Sequence, residues 1–222
     1  MEGNELFPVF LKLNTLHTLL IGAGPVGLEK LNALLANSPD AQVTIVAQEV
    51  LPEINAIANA SSNVIIYERA FAEEDLDDVE LVMAATNNEE LNSQIRLLAK
   101  KKKLLVNFAD KPALCDFYLG AVVKKGDLKI AISTNGKSPT IAKRLKEILN
   151  ESLPQEIDTT LQHMSALRNK LEGDFALKVR KLNEVTAVLV ENKDNSVVKL
   201  NIKWLLWATI VMMLAAILYF IL

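Results

Sequence analysis

The stretch His17–Pro39, "HTLLIGAGPVGLEKLNALLANSP", decides the reading of the chain, because it joins an apolar run, a glycine turn and a helical pattern that stops before Pro39. The run has no polar alternation, as expected of a strand buried on both faces. The turn "GAGPVG" fits G-x-G-x-x-G. In that spacing Gly22 permits the tight turn, Gly24 lets a pyrophosphate approach the backbone, and Gly27 lets helix and strand pack closely. The helix N-terminus then faces the anionic phosphates. Gly22, Gly24, Pro25, Val26 and Gly27 are therefore candidate dinucleotide contacts; a tight strand-to-helix turn without ligand is the alternative.

Working outward, "AQVTIVAQ" gives a second strand, "LPEINAIANA" a helix opening at a proline, and "NVIIYER" a third strand. "VELVMAAT" is a fourth, followed by Asn87 or Asn88 as cap of the helix "EELNSQIRLLAKKK", and "KLLVNFAD" is a fifth. Strands alternating with helices at this spacing predict an α/β fold, a Rossmann-like doubly wound parallel sheet covered on both faces. Beyond Gly120 the pattern changes. "AVVKKGDLKIAIST" predicts a hairpin turning at Gly126–Asp127, and "KSPTIAKRLKEILNESLP" a helix starting near Ser138–Pro139. The expected organisation is a dinucleotide-binding domain over 1–113, a small α+β dimerisation and substrate region over 114–150, a helical segment over 151–190, a linker over 191–203 and a transmembrane helix over 204–222.

The last expectation rests on "WLLWATIVMMLAAILYFIL", Trp204 to Leu222, which carries no charge. At the helical rise it reaches about 28 Å, close to a bilayer core. Trp204, Trp207 and Tyr219 stand where interfacial aromatics would, and Lys193, Lys199 and Lys203 precede it, which places the body of the protein in the cytoplasm. No secretory signal is read at the N-terminus. A net charge of −3 and a pI near 5.5 argue against a nucleic-acid partner. The lysine run Lys100–Lys103 reads as a solvated helix end. One cysteine, Cys115, excludes an internal disulfide and a cysteine metal cluster, and is read as a structural thiol. No metal ligands are assigned.

The second strand of a dinucleotide fold ends beside the adenosine ribose. Here Gln48 and Glu49 stand there, and no arginine is near to hold the extra phosphate of NADP, so NAD is the expected cofactor. Thr86 and Asn87, after the fourth strand, either line the cofactor cleft or serve the following helix. In "VNFADKPALCDFYLG", Val106–Gly120, two carboxylates compete for attention. Asp110 reads either as a turn former before Lys111–Pro112 or as an acid–base group at the ligand edge; Asp116 reads as a second acceptor, a cap or a structural residue, with structure favoured.

"PVFLKL", "LLIGAGPVGLEKLNALL", "VTIVAQE", "AATNNEELN" and "VNFADKPALCDFYLGAVVKKGDLKIAISTNGKSPTIAKRLKEIL" follow one another in an order that resembles the precorrin-2 dehydrogenase family, the dehydrogenase module of sirohaem synthase. The resemblance covers roughly residues 5 to 165. It implies NAD-dependent oxidation of precorrin-2 to sirohydrochlorin, with Asp110 as the catalytic aspartate, and a homodimer formed after the nucleotide domain. Some members are also sirohydrochlorin ferrochelatases, which makes ferrous iron a further candidate substrate. The family's serine-rich segment falls on "STNGKSP", so Ser133, Thr134, Asn135, Lys137 and Ser138 are implied to bind the carboxylates of the tetrapyrrole. A membrane-tethered Rossmann nucleotide-sensing module without catalysis is the alternative. It accounts for the glycine turn and the tail, but not for Asp110 together with the serine-rich segment.

Overall fold

The computed structural model describes residues 4–171 and 175–186. Five parallel strands form the first layer: β1 (His17–Ala23), β2 (Gln42–Val50), β3 (Val64–Glu68), β4 (Leu81–Ala84) and β5 (Leu105–Phe108), in the order β3-β2-β1-β4-β5. The chain winds outward from β1 to β3, then returns to β4 on the other side of β1. The strand order thus reverses between β1 and β4, and a crevice for ligands opens at their carboxyl ends.

The apolar run of β1 is buried on both faces, as its composition requires. Leu19 and Ile21 pack with Ile95 and Leu98 of α3 (Glu89–Lys101), whereas Leu20 packs with Leu31 and Leu34 of α1 (Pro25–Asn37) and Ile54 of α2 (Pro52–Ala60). Each such side chain removed from water contributes about 1.5–3 kcal/mol, which makes β1 the strand that holds the layers together. α1 starts on Pro25 and ends at Ser38, whose amide donates to the Leu34 carbonyl oxygen at 2.8 Å. Of the two asparagines offered by the sequence as a cap for α3, Asn88 is used: its Oδ1 accepts from the Leu91 amide at 3.0 Å. At the other end Lys100 and Lys101 lie in the last turn and Lys102 pairs with Asp77, so the lysine run is a helix terminus whose charge complements the dipole.

β6 (Ala121–Lys125) and β7 (Leu128–Ile132) form the antiparallel hairpin, turning through Gly126 at φ +56°. Its lysines fasten it to α1: Lys124 Nζ donates to the Ala36 carbonyl oxygen at 3.1 Å and Lys129 Nζ to that of Asn37 at 2.6 Å. Both carbonyls belong to the last turn of α1, where no intrahelical donor remains. α4 (Pro139–Ser152) packs on β6, and its Ser138 cap accepts from the Ile141 amide at 3.2 Å. Ile141, Leu145 and Ile148 follow at helical spacing on α4 and are 50%, 40% and 56% exposed, a half-exposed apolar stripe among the described residues.

The chain divides into two compact units after Asp158. α5 (Ile157–Lys170) begins at the end of the first, and the second also holds α6 (Phe175–Thr186). Among the described residues no helix is long and apolar enough to cross a membrane. The expected linker over 191–203 and anchor over 204–222 lie outside the described residues.

Candidate active site

The three glycines of the turn have different surroundings. Gly22 has φ +98°, and a Cβ there would meet the Ala85 carbonyl oxygen at 2.5 Å; a Cβ on Gly27 would meet the Gly22 oxygen at 2.2 Å. These two positions are closed by the protein's own backbone. A Cβ on Gly24 would meet nothing within 4 Å, and no side chain caps the first turn of α1. Open space beside uncapped amides at a helix N-terminus suits a pyrophosphate, so the residues present fit a dinucleotide. Pro25 and Val26, exposed at the start of α1, border that space.

Gln48 and Glu49 are both exposed at the carboxyl end of β2, which runs to Val50. Neighbours in a strand point to opposite faces, so only one of them can serve a ligand lying on a given face. Thr86 borders the glycine turn, its methyl group 3.5 Å from where a Gly22 Cβ would stand. Its hydroxyl is occupied: it donates to Asn92 Oδ1 at 2.8 Å and accepts from the Asn88 amide at 3.3 Å. Asn92 in turn donates to the Thr86 carbonyl oxygen at 3.1 Å. Thr86 thus ties β4 to α3, while Asn87 beside it is exposed.

At the end of β5 the ladder continues one residue, the Ala109 amide donating to the Ala84 oxygen at 3.0 Å. Asp110 comes next, exposed, at φ +55°. A short polar side chain tolerates this left-handed conformation, at a cost of about 1–2 kcal/mol for an L-residue. Lys111 then bridges to Glu89 at 2.5 Å, fastening the loop to the start of α3 and holding the Glu89 carboxylate below its usual range. The backbone therefore presents Asp110 at the carboxyl edge of the sheet, beyond the end of the outer strand β5.

Two polar residues beneath this edge escaped the reading of the sequence. Lys30 of α1 donates from Nζ to Asn107 Oδ1 at 2.6 Å, and Asn107 Nδ2 donates to the Phe117 carbonyl oxygen at 2.8 Å. Burial pushes the Lys30 ammonium below the ordinary lysine range, while Cys115, Glu29 and Asp110 pull it back up. A signal was available: Lys30 lies on the same stripe of α1 as the buried Gly27, Leu31 and Leu34, and Asn107 interrupts a buried strand.

The segment after Asp110 closes the outer edge of β5. The Asp116 amide donates to the Val106 oxygen at 2.8 Å, and Asp116 Oδ2 accepts from the Val106 amide at 3.1 Å. Cys115 Sγ accepts from the Phe108 amide at 3.1 Å. Arg96 of α3 donates twice to Asp116, at 2.5 and 2.8 Å, and this pairing, aided by the Val106 amide, holds the Asp116 carboxyl below its usual range against the opposing effect of burial. The Asp116 carboxylate is thus engaged by Arg96 and by the edge of β5, and the thiol of Cys115 covers the same edge. Phe117 packs against the buried cluster that holds Leu20, Leu31 and Met83, and Tyr118 donates to the Pro112 oxygen at 3.3 Å.

The loop between β7 and α4 is internally bonded. The Asn135 amide donates to Ser133 Oγ at 3.2 Å, the Ser138 amide to Thr134 Oγ1 at 3.2 Å, and Thr134 Oγ1 to the Ser138 oxygen at 3.1 Å. Asn135 and Gly136 turn the chain at φ +53° and +73°. Lys137, the next residue, is exposed. Among the described residues no hydrogen bond or ion pair joins this loop to the glycine turn or to Asp110.

The reversed strand order, the glycine turn and the open space over Gly24 define a dinucleotide-binding Rossmann domain. Comparison with known proteins narrows the class. A family model described as NAD(P)-binding matches residues 9–121, and one described as the central part of a sirohaem biosynthesis protein matches residues 125–152. The chain belongs to the NAD(P)-binding family that the first of these models describes. It is 33% identical over 171 residues to the sirohaem synthase of Pseudoalteromonas translucida, covering 77% of this chain and 36% of that protein. It is 34% identical over 173 residues to that of Psychrobacter cryohalolentis, covering 78% and 32%. The chain thus spans about a third of the length of the curated relatives it matches. A solved structure, "SirC, precorrin-2 dehydrogenase", superimposes with a TM-score of 0.66 at 28% identity, covering 81% of this chain and 89% of that one.

Proposed function

We propose that this chain oxidises precorrin-2 to sirohydrochlorin with NAD. The observation that carries the reading is Asp110, an exposed carboxylate presented in a left-handed turn just beyond the carboxyl end of β5, on the same edge of the sheet as the glycine turn that follows β1. The similarity to the precorrin-2 dehydrogenase structure over most of both chains supports it.

Dehydrogenation removes a hydride and a proton from the macrocycle, and the dinucleotide, when bound, supplies the hydride acceptor. The protein's part is to bind, orient and take the proton. The amides at the start of α1, with Gly22, Gly24 and Gly27, would hold the pyrophosphate; Gln48 or Glu49 would meet the ribose. The absence of an arginine after β2 favours NAD over NADP. Asp110 accepts the proton and passes it to solvent, to which its exposure gives direct access. Lys137, the Ser133 hydroxyl, the Asn135 side chain and the Thr140 amide are the groups of the β7–α4 loop left for the carboxylates of the substrate, because the Thr134 and Ser138 hydroxyls are engaged within the loop and the Ser138 oxygen holds the Ile141 amide. The half-exposed apolar stripe Ile141, Leu145 and Ile148 supports a homodimer through α4. The uncharged run 204–222 supports a single-pass anchor with the catalytic body in the cytoplasm.

Full-length protein incubated anaerobically with precorrin-2 and NAD should yield sirohydrochlorin and NADH. Absence of turnover in protein that demonstrably binds NAD would overturn the enzymatic reading in favour of nucleotide sensing. Ferrous iron added to sirohydrochlorin tests insertion separately, against the rate without enzyme. The anchor is tested by whether the chain partitions with membranes after lysis, and the dimer by its mass in detergent.

A further inference from the structure

The thiol of Cys115 meets the backbone on both sides of the turn that presents Asp110. Its Sγ accepts from the Phe108 amide at 3.1 Å, and its one proton has the Phe108 and Lys111 carbonyl oxygens within reach at 3.3 and 3.4 Å. Phe108 ends β5 and Lys111 precedes Pro112, so these two residues flank Ala109–Asp110. Asn107 closes the neck of the same loop: its Nδ2 donates to the Phe117 oxygen at 2.8 Å and lies 3.6 Å from the sulfur.

Covering the strand edge does not account for all of this. The edge needs partners for the two backbone groups of Phe108, as Asp116 supplies them for Val106. Lys111 lies past the end of the strand and past the left-handed residue, where a bond to its oxygen completes no ladder. An exposed residue in a conformation disfavoured for an L-amino acid keeps it where the chain on either side is fixed. Resting on the reading of Asp110 as proton acceptor, we propose that Cys115 is a positioning residue for the dehydrogenation: its thiol pins Phe108 to Lys111 and so fixes the turn that carries Asp110. The thiol itself takes no part in the chemistry. A carboxylate displaced by about 1 Å from the proton it must take loses on the order of 10²-fold in rate, which is what the pin prevents.

Valine is the informative replacement. It suits the extended backbone of Cys115, at φ −88° and ψ 139°, and the apolar cluster the side chain packs against, but it makes neither bond. By hydrogen exchange on the full-length protein without cofactor, the Phe108 and Ala109 amides should both exchange faster in C115V, while β1 and the glycine turn keep their rates. Ala109 discriminates, because its amide is bonded to Ala84 at the end of β4 and not to the sulfur. A faster Phe108 with an unchanged Ala109 confines the thiol to covering the edge and overturns the proposal. Turnover is then read as a cycle with Asp110. C115V should lower kcat for precorrin-2 about 10- to 100-fold with NAD affinity unchanged, and should cost nothing further in D110N. C115S, which keeps a donor and an acceptor, should be more active than C115V. Wild-type kcat in C115V, or the same loss in both backgrounds, overturns the proposal. Should C115V fail to fold, C115A removes the same bonds without added bulk and takes its place in both measurements. An inactive D110N beside a fully active C115V removes only the role of Cys115, whereas full turnover in D110N removes the reading of Asp110 and this proposal with it.

Discussion

Asp116 accepts two hydrogen bonds from Arg96 and a third from the Val106 amide, whereas Asp110, on the same short segment, stands exposed at the end of the strand in a left-handed turn. The two carboxylates differ in what surrounds them, since their side chains are identical. Asp116 lies along the outer edge of β5, where unpaired backbone groups need partners, and its carboxylate supplies one. Asp110 lies at the carboxyl end of the same strand, where the backbone has finished pairing and a side chain is free to meet a ligand. The sheet edge consumes a carboxylate's hydrogen-bonding capacity, and the sheet end leaves it available.

The sharpest way to break this contrast is to remove each carboxylate in turn. Asp110→Asn keeps a residue that tolerates a positive φ, so folding and NAD affinity should hold while kcat for precorrin-2 oxidation falls about 10²- to 10⁴-fold. Unchanged turnover would mean that another group takes the proton. The glycine turn comes next. Gly22→Ala should lose about 2 kcal/mol or more of stability, because the positive φ and the approach to the Ala85 oxygen both oppose a Cβ. Gly24→Ala should leave the melting temperature unchanged and weaken NAD binding, which isothermal titration would show. A loss of stability at Gly24 equal to that at Gly22 would contradict the open space seen there.

Asp116→Asn should behave in the opposite way to Asp110→Asn, costing about 1–3 kcal/mol of stability while activity per folded molecule is retained. Because Arg96 lowers the folded-state value of Asp116, its contribution is full above about pH 4 and is lost as the pH falls through that lowered value. Denaturant unfolding at pH 7 and at pH 3 should therefore show a smaller acid loss in the variant than in wild type. The smallest effect belongs to α3. Asn88→Ala should cost about 1 kcal/mol through the lost cap with no change in NAD affinity, whereas Asn87→Ala should leave stability unchanged. Weaker NAD binding in the Asn87 variant would assign that side chain to the cofactor cleft.

The sheet was legible because its signals are local. A doubly buried strand, a glycine turn and an amphipathic helix each leave a pattern within a few residues, and their alternation leaves few parallel arrangements. The hairpin at Gly126–Asp127 and the cap at Ser138 were legible for the same reason. Asn87 and Asn88 were not distinguished in the sequence, since both are asparagines before the same helix and only the backbone geometry selects Asn88.

What the sequence determined by itself is therefore the parallel α/β sheet, the position of the glycine turn and the placing of Asp110 at a strand end. Only the tertiary structure decided which polar side chains are committed elsewhere. Thr86 holds Asn92, the Thr134 and Ser138 hydroxyls close their own loop, Asp116 covers an edge, and Lys30 reaches from α1 to Asn107 on β5. The physical reason is reach. Backbone patterning is set by neighbours along the chain, but the partner of a buried charge or hydroxyl is chosen across the sheet, and Lys30 and Asn107 become neighbours only when α1 folds over the strands beside it.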